Sequence, residues 1–122
     1  MKFAQDSQDE GYVITAYEDN SIAINGKEFN QSLIITAQRL HEHWGIDNID
    51  QLSNEHIELV LSFKPELIII GTGKNLVFPK IENYAKIIEL GIGVDFMDTP
   101  AACRTYNILK SEDRDVVAGL IL

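Results

Sequence analysis

Cysteine is nearly absent from this chain of 122 residues, where Cys103 stands alone. That excludes an internal disulfide and any zinc site built from paired cysteines, and a lone thiol suits a reducing cytosol. Basic residues are scarce as well. Ten Lys and Arg stand against nineteen Asp and Glu, for a net charge of −9. A chain this acidic repels polyphosphate, which argues against nucleic acid as a partner. Long apolar runs are also missing, and none approaches the ~18 residues needed to cross a bilayer. The opening eleven residues, MKFAQDSQDEG, are polar and acidic and do not read as a targeting signal. These absences point to a soluble, cytoplasmic protein.

What is present suits one compact domain over residues 1–122, with 45% apolar residues to build its core. The charge is unevenly spread. Residues 1–64 hold 11 acids and 4 bases, whereas residues 65–122 hold 8 and 6, leaving the second half free to host a small anion.

The first third reads as β structure. YVITAY (12–17) is β-branched and aromatic, Glu18-Asp19-Asn20 turns into SIAIN, and Asn25-Gly26 is the pair favoured in a two-residue hairpin loop. That loop pairs Ile24 with Lys27 and Ile22 with Phe29, putting Ile22 and Phe29 on one face. LIITA (33–37) reads as a further strand of this antiparallel layer. Residues 41–52 are a connector with a short extended piece. Ser53 caps a helix to about Lys64 with Ile57, Val60 and Leu61 on one face, and Pro65 ends it.

From there the period changes. LIII (67–70) is apolar without alternation, as in a parallel strand covered on both faces. Pro79 opens a helix whose Ile81, Tyr84, Ala85 and Ile88 follow i, i+3, i+4, i+7, with Gly91 as its stop. IGVDFM (92–97) is the next strand. Thr99-Pro100 starts a helix over about 100–110, and VVAGLIL forms a last, central strand. Antiparallel hairpins followed by β-α-β-α-β, a largely parallel sheet, predict an α/β sandwich with an extra β layer.

The stretch IIIGTGK resembles a phosphate loop only in part. A P-loop needs Gly where Ile68 stands and Ser or Thr where Asn75 stands, and a dinucleotide fingerprint needs Gly at Leu76. Its place matters more, because ligand crevices in parallel sheets lie beyond the carboxyl ends of strands. Strand 67–70 ends in Gly71-Thr72-Gly73 and strand 92–97 ends in Asp98-Thr99-Pro100. If the strands are neighbours, the amides of Ala101 and Ala102, with Arg104 one turn on and Lys74 at the rim, suit a carboxylate or similar anion. In the alternative, Asp98 and Thr99 only cap the helix and Arg104 pairs with Asp98 or Asp95.

Cys103 lies near a helix start and a cation, the setting of an activated thiolate, yet no base is close in sequence and cysteine usually packs inside. His41 and His43 share one strand face without an evident third ligand, so no metal is expected. Ala102, Tyr106 and Leu109 line one helical face, with the Tyr106 phenol reaching a polar edge. Asn107 has no spacing argument of its own.

PELIIIGTG (65–73), the F-x-P at Phe78 and Pro79, and GIGVDFMDTPAACRTYNIL (91–109) closely resemble the Mth938-like family of small domains, also called DUF498. That family contains bacterial and archaeal stand-alone proteins and a eukaryotic mitochondrial complex I assembly factor. The resemblance implies a three-layer β/β/α fold in which the GTG exit and the MDTPAACRTYN segment share a groove. Carried over, the motif falls on Gly71, Thr72, Gly73, Phe78, Pro79, Met97, Asp98, Thr99, Cys103, Arg104, Tyr106 and Asn107. With Lys74 at the rim, the expected groove residues are Gly71, Thr72, Gly73, Lys74, Phe78, Asp98, Thr99, Cys103, Arg104, Tyr106 and Asn107. The resemblance supplies no chemistry. The leading expectation is a non-enzymatic binding or assembly-factor domain, without cofactor, that holds a protein partner or small anionic ligand. The alternative is a small enzyme using Cys103, Asp98 and Arg104.

Overall fold

The computed structural model describes residues 11–122, and the acidic opening read above as carrying no targeting signal lies outside them up to Glu10. β1 (Ile14–Glu18), β2 (Ser21–Ile24) and β3 (Lys27–Phe29) form an antiparallel sheet in that order. Asn25 and Gly26 take positive φ, 50° and 85°, and the turn sets Ile22 opposite Phe29 as expected. Ile14, Ile22 and Ile24 point into the core, while Phe29 packs against it half-buried.

The strand in LIITA is not a further member of this layer. β4 (Leu33–Ile35) pairs antiparallel with β8 (Val116–Leu120), setting Ile34 opposite Gly119 in a second sheet. Coverage explains the difference. Leu33, Ile34 and Ile35 are all 0% exposed, a burial that only a sheet with both faces covered provides.

The second sheet has the order β5-β4-β8-β6-β7, with β5 at Leu40–His41, β6 at Leu67–Gly71 and β7 at Gly93–Met97. β8 is central, as its unbroken apolar run implies, and β6 runs parallel to both β8 and β7. Ile68 and Ile70 enter one buried cluster and Ile69 the other, so this run has no polar side to alternate with.

One face of the mixed sheet is covered by α1 (Asn54–Leu61), α2 (Ala85–Glu89) and connector residues Trp44, Ile46 and Ile49. The other is covered by α3 (Thr99–Ser111) and the hairpin sheet. A Cβ on Gly119 would meet the Trp44 ring at 2.6 Å, so glycine there lets the indole lie on β8. The indole N–H donates to the His56 carbonyl at 3.2 Å, tying α1 to the same place.

Two helix boundaries differ from expectation. α1 begins after Ser53 but ends at Leu61, because Lys64 takes φ 56° ahead of Pro65. The helix expected from Pro79 is broken into a 3-10 turn (Ile81–Asn83) and the short α2, with Tyr84 at φ −136° between them. That break resets the helical phase. Ile87 becomes the buried residue, whereas Ile81 and Ile88 are 58% and 49% exposed.

Candidate functional site

β6 and β7 are parallel neighbours, so the two motif loops leave the sheet side by side. What joins them is a set of backbone bonds. The Thr72 N–H donates to the Met97 carbonyl at 2.8 Å, and the Thr99 N–H donates to the Gly73 carbonyl at 2.8 Å. The Gly73 N–H donates back to Thr99 Oγ1 at 2.8 Å, and that hydroxyl donates to the Ile121 carbonyl. Thr99 is 0% exposed, and its three bonds reach two other segments of the chain, Gly73 twice and Ile121 once. Thr72 closes the loop on itself: its hydroxyl donates to the Asn75 carbonyl at 2.6 Å and accepts from the Val77 N–H at 3.1 Å.

Two glycines permit this approach. A Cβ on Gly71 would lie 2.8 Å from Thr99 Oγ1 and 3.0 Å from the Thr99 Cα, so only glycine lets the start of α3 sit on the end of β6. Gly73 takes φ 104°, a conformation L side chains rarely adopt.

The start of α3 is capped by Asp98, not by Thr99 as the sequence suggested. The Asp98 carboxylate accepts from the Ala101 N–H at 2.9 Å, and the Ala102 N–H donates to the Asp98 carbonyl at 2.9 Å. Thr99 is already helical and its hydroxyl is used elsewhere. The two amides proposed for an anion are therefore occupied within the cap.

The remaining candidates separate. Thr72, Gly73 and Lys74 border a depression of about 230 Å³ whose opposite wall is Asp47, Asn48 and Asp50. Cys103, Arg104 and Asn107 border a different one, of about 290 Å³, against Ile14, Ala16 and Tyr17 of the hairpin sheet. The Lys74 ammonium lies 3.4 Å from Asp19, an exposed pair of little energetic weight. Arg104 is exposed and, among the described residues, makes no ion pair with Asp95 or Asp98.

Cys103 is 4% exposed, and burial pushes its thiol up to about 12 despite the lowering effect of Arg104. It is a neutral, packed thiol at pH 7. Tyr106 is fully buried, its phenol donates to the Tyr12 carbonyl at 2.7 Å, and burial raises its pKa. Asn107 does what spacing did not indicate. Its Oδ1 accepts from the Ile14 N–H at 3.0 Å and its Nδ2 donates to the Ile14 carbonyl at 2.7 Å, clamping β1 to α3.

His41 and His43 do not converge on an ion: His41 Nε2 faces the His43 carbonyl, and His43 Nδ1 faces Gln31 Oε1. A roomier depression of about 810 Å³ lies away from the motif loops, near the end of α3, where Lys110 and Arg114 are interleaved with Asp113 and Asp115. Its mixed charge selects no ligand class.

Phe78 differs from the other motif residues. It is 67% exposed, with its ring edge-on to Phe96 at 6.3 Å. In the same stretch of chain, residues 76–90, the sequence reading missed Leu76, Val77, Ile81, Ile88 and Leu90, all large, apolar and exposed. The only available signal was their composition, since the helical pattern assigned Ile81 and Ile88 to the core.

A family profile described as "Protein of unknown function (DUF498/DUF598)" matches residues 14–121. A Francisella tularensis protein named 13 kDa major membrane protein is 38% identical over 106 residues, covering 86% of each chain. The zebrafish NADH dehydrogenase [ubiquinone] 1 alpha subcomplex assembly factor 3 is 32% identical over 114 residues; the match covers 91% of this chain and only 64% of that protein. Among solved structures, a Bordetella parapertussis protein superposes with a TM-score of 0.85 at 30% identity, covering 90% of this chain and 94% of that one. A Xanthomonas campestris protein superposes at 0.84 and 35%, covering 99% and 92%. A Mth938-like domain from Bordetella pertussis, at 0.78 and 24% identity over 90% and 85% of the two chains, shares the fold.

Proposed function

The chain belongs to the DUF498/DUF598 family and has the Mth938-like fold, and on that premise we propose that it is a non-enzymatic binding domain of the assembly-factor kind. Its ligand is another protein, held at the end of the mixed sheet where the motif loops emerge. One observation carries this reading: the GTG exit runs directly into Leu76, Val77 and Phe78, which are 47%, 40% and 67% exposed. Contiguous exposed apolar side chains of this size are typical of protein interfaces. The zebrafish relative's name supports the same class of role. The partner we expect is a subunit of a respiratory NADH dehydrogenase.

Lys74 precedes this surface in the chain, whereas Arg104 borders the separate depression against the hairpin sheet. A small anion is the weaker reading, because the cap of α3 uses the Ala101 and Ala102 amides. The small-enzyme reading loses its nucleophile, since burial keeps the Cys103 thiol protonated. Among the described residues no helix is long and apolar enough to cross a membrane, while the Francisella relative is named a membrane protein. A cytoplasmic domain that meets a membrane-bound complex from outside the bilayer fits both.

Cross-linking in the native cells, followed by mass spectrometry, tests the reading with wild type, Phe78→Asp and Arg104→Ala. Respiratory subunits should cross-link to wild type and be lost from Phe78→Asp. If the cross-linked set is the same in all three, the proposal fails.

A further inference from the structure

β7 is an outer strand of the mixed sheet, with β6 as its neighbour and, among the described residues, nothing paired on its other side. The hydrogen bonds fix which backbone groups face outward. The Met97 carbonyl accepts from Thr72 on the β6 side, and the Gly71 carbonyl accepts from Ile121 on the β8 side. In a parallel ladder both groups of a residue point the same way and alternate along the strand. Met97 and Asp95 therefore bond to β6, which leaves the N–H and C=O of Val94 and Phe96 on the free edge.

Such an edge is a template for another strand unless it is protected by lysine, proline or a bulge. This edge, GVDFM, has none of the three, and Asp95 is its one charge. An apolar shelf lies beside it instead. Phe96 carries Phe78 at 6.3 Å and Tyr84 at 4.8 Å. On α2, Lys86 reaches toward Glu58 of α1 at 3.8 Å. Ile88 lies roughly 200° further round the helix, so it leans away from α1 and toward the edge.

We propose that β7 takes up an extended segment of a partner protein as a sixth strand of the mixed sheet, a mode that deepens the binding reading above and rests on it. Main-chain bonds to Val94 and Phe96 hold the segment. Side chains opposite these two residues share their face and rest on Phe78, Tyr84 and Ile88, so the segment is apolar at every second position. The residue opposite Asp95 is on the other face and is basic, which suits a chain of net charge −9. The same carboxylate disfavours a second copy of this chain. An antiparallel pair overlapping all of β7 would set Asp95 against its own counterpart, at the non-bonded position where side chains are closest.

A displayed library of random linear peptides, selected against the full chain, tests this. Enriched peptides should alternate apolar and polar residues, with Lys or Arg among the polar ones. Val94→Pro removes an outward N–H while leaving the bonds to β6, and should weaken the enriched peptide on the order of tenfold. Should that variant not fold, amide exchange on the wild type decides: the peptide should slow Val94 and Phe96 and leave Asp95 unchanged. The inference is overturned if nothing enriches or if Val94 and Phe96 exchange as before. It is also overturned if the purified chain dimerises through β7, or if phosphatidylglycerol vesicles, not peptide, protect residues 76–96. A peptide lost with Phe78→Asp but indifferent to Val94→Pro would sink the strand mode and leave the binding function standing.

Discussion

Thr99 and Gly73 are hydrogen-bonded to each other twice. The Gly73 N–H donates to the Thr99 hydroxyl, the Thr99 N–H donates to the Gly73 carbonyl, and both distances are 2.8 Å. The pair closes the end of β6 onto the start of α3, and the same hydroxyl reaches Ile121 just past β8. A hydroxyl is needed at this point because one side chain must accept and donate at once.

Thr99→Val keeps the shape but leaves the buried Gly73 N–H and Ile121 carbonyl unpaired. It should lower stability by about 1–3 kcal/mol, whereas Thr99→Ser should retain most of it. Urea denaturation of the two variants makes the comparison.

Gly71→Ala reverses the usual sign. Alanine in place of a strand glycine ordinarily helps, but here its methyl group would press into Thr99 and the Ala102 Cβ at 2.8–3.1 Å. A loss of about 1–3 kcal/mol is expected from this overpacking. An unchanged thermal midpoint would contradict the close approach of strand and helix.

Asn107→Ala cuts both bonds that hold Ile14. Amide exchange at Ile14 should accelerate while the centre of β8 stays protected, because the hairpin layer loosens before the mixed sheet.

Cys103 gives a signed pH dependence. Its folded thiol is raised from 9.0 to about 12, so on raising the pH the unfolded chain loses this proton first. Stability from this group is complete below about pH 9 and declines as pH rises toward 12. The raised pKa of Tyr106 acts in the same direction. Alkylation of Cys103 in the native protein should be far slower near pH 8 than in urea, and equal rates would show an open thiol.

Phe78→Asp should change stability by less than about 0.5 kcal/mol, since the ring is mostly in water. A large loss in a thermal scan would mean that Phe78 belongs to the core and not to a contact surface.

Where local chemistry decides the outcome, the sequence was a good guide. Asn25-Gly26 set the register of β2 and β3, Gly91 marked a real stop, and the unalternating LIII and VVAGLIL lay side by side at the heart of the sheet. LIITA was placed in the wrong sheet because a short apolar strand carries no mark of its partner. The helix at Pro79 failed for another reason: one residue outside helical geometry, Tyr84, shifts the phase of everything after it.

The candidate site was half legible. The motif segments do meet, but most of their conspicuous residues are used in joining one another: Gly71 and Gly73 by lacking a side chain, Asp98 by capping, Thr99 and Asn107 by bridging segments. Residue type and spacing cannot separate a side chain bonded to its own backbone from one free to hold a ligand.

By itself the sequence determined the α/β class, the hairpin register and the parallel sense of β6 and β7, though not that the two are neighbours, because these follow from turn chemistry, hydrophobic period and chain connectivity over short distances. Only the tertiary structure decided that the motif closes on itself, that Cys103 is sealed in, and that Phe78 and the outer edge of β7 face water. Those outcomes depend on which surfaces remain uncovered once every layer has packed, a property of the whole chain that no local segment contains.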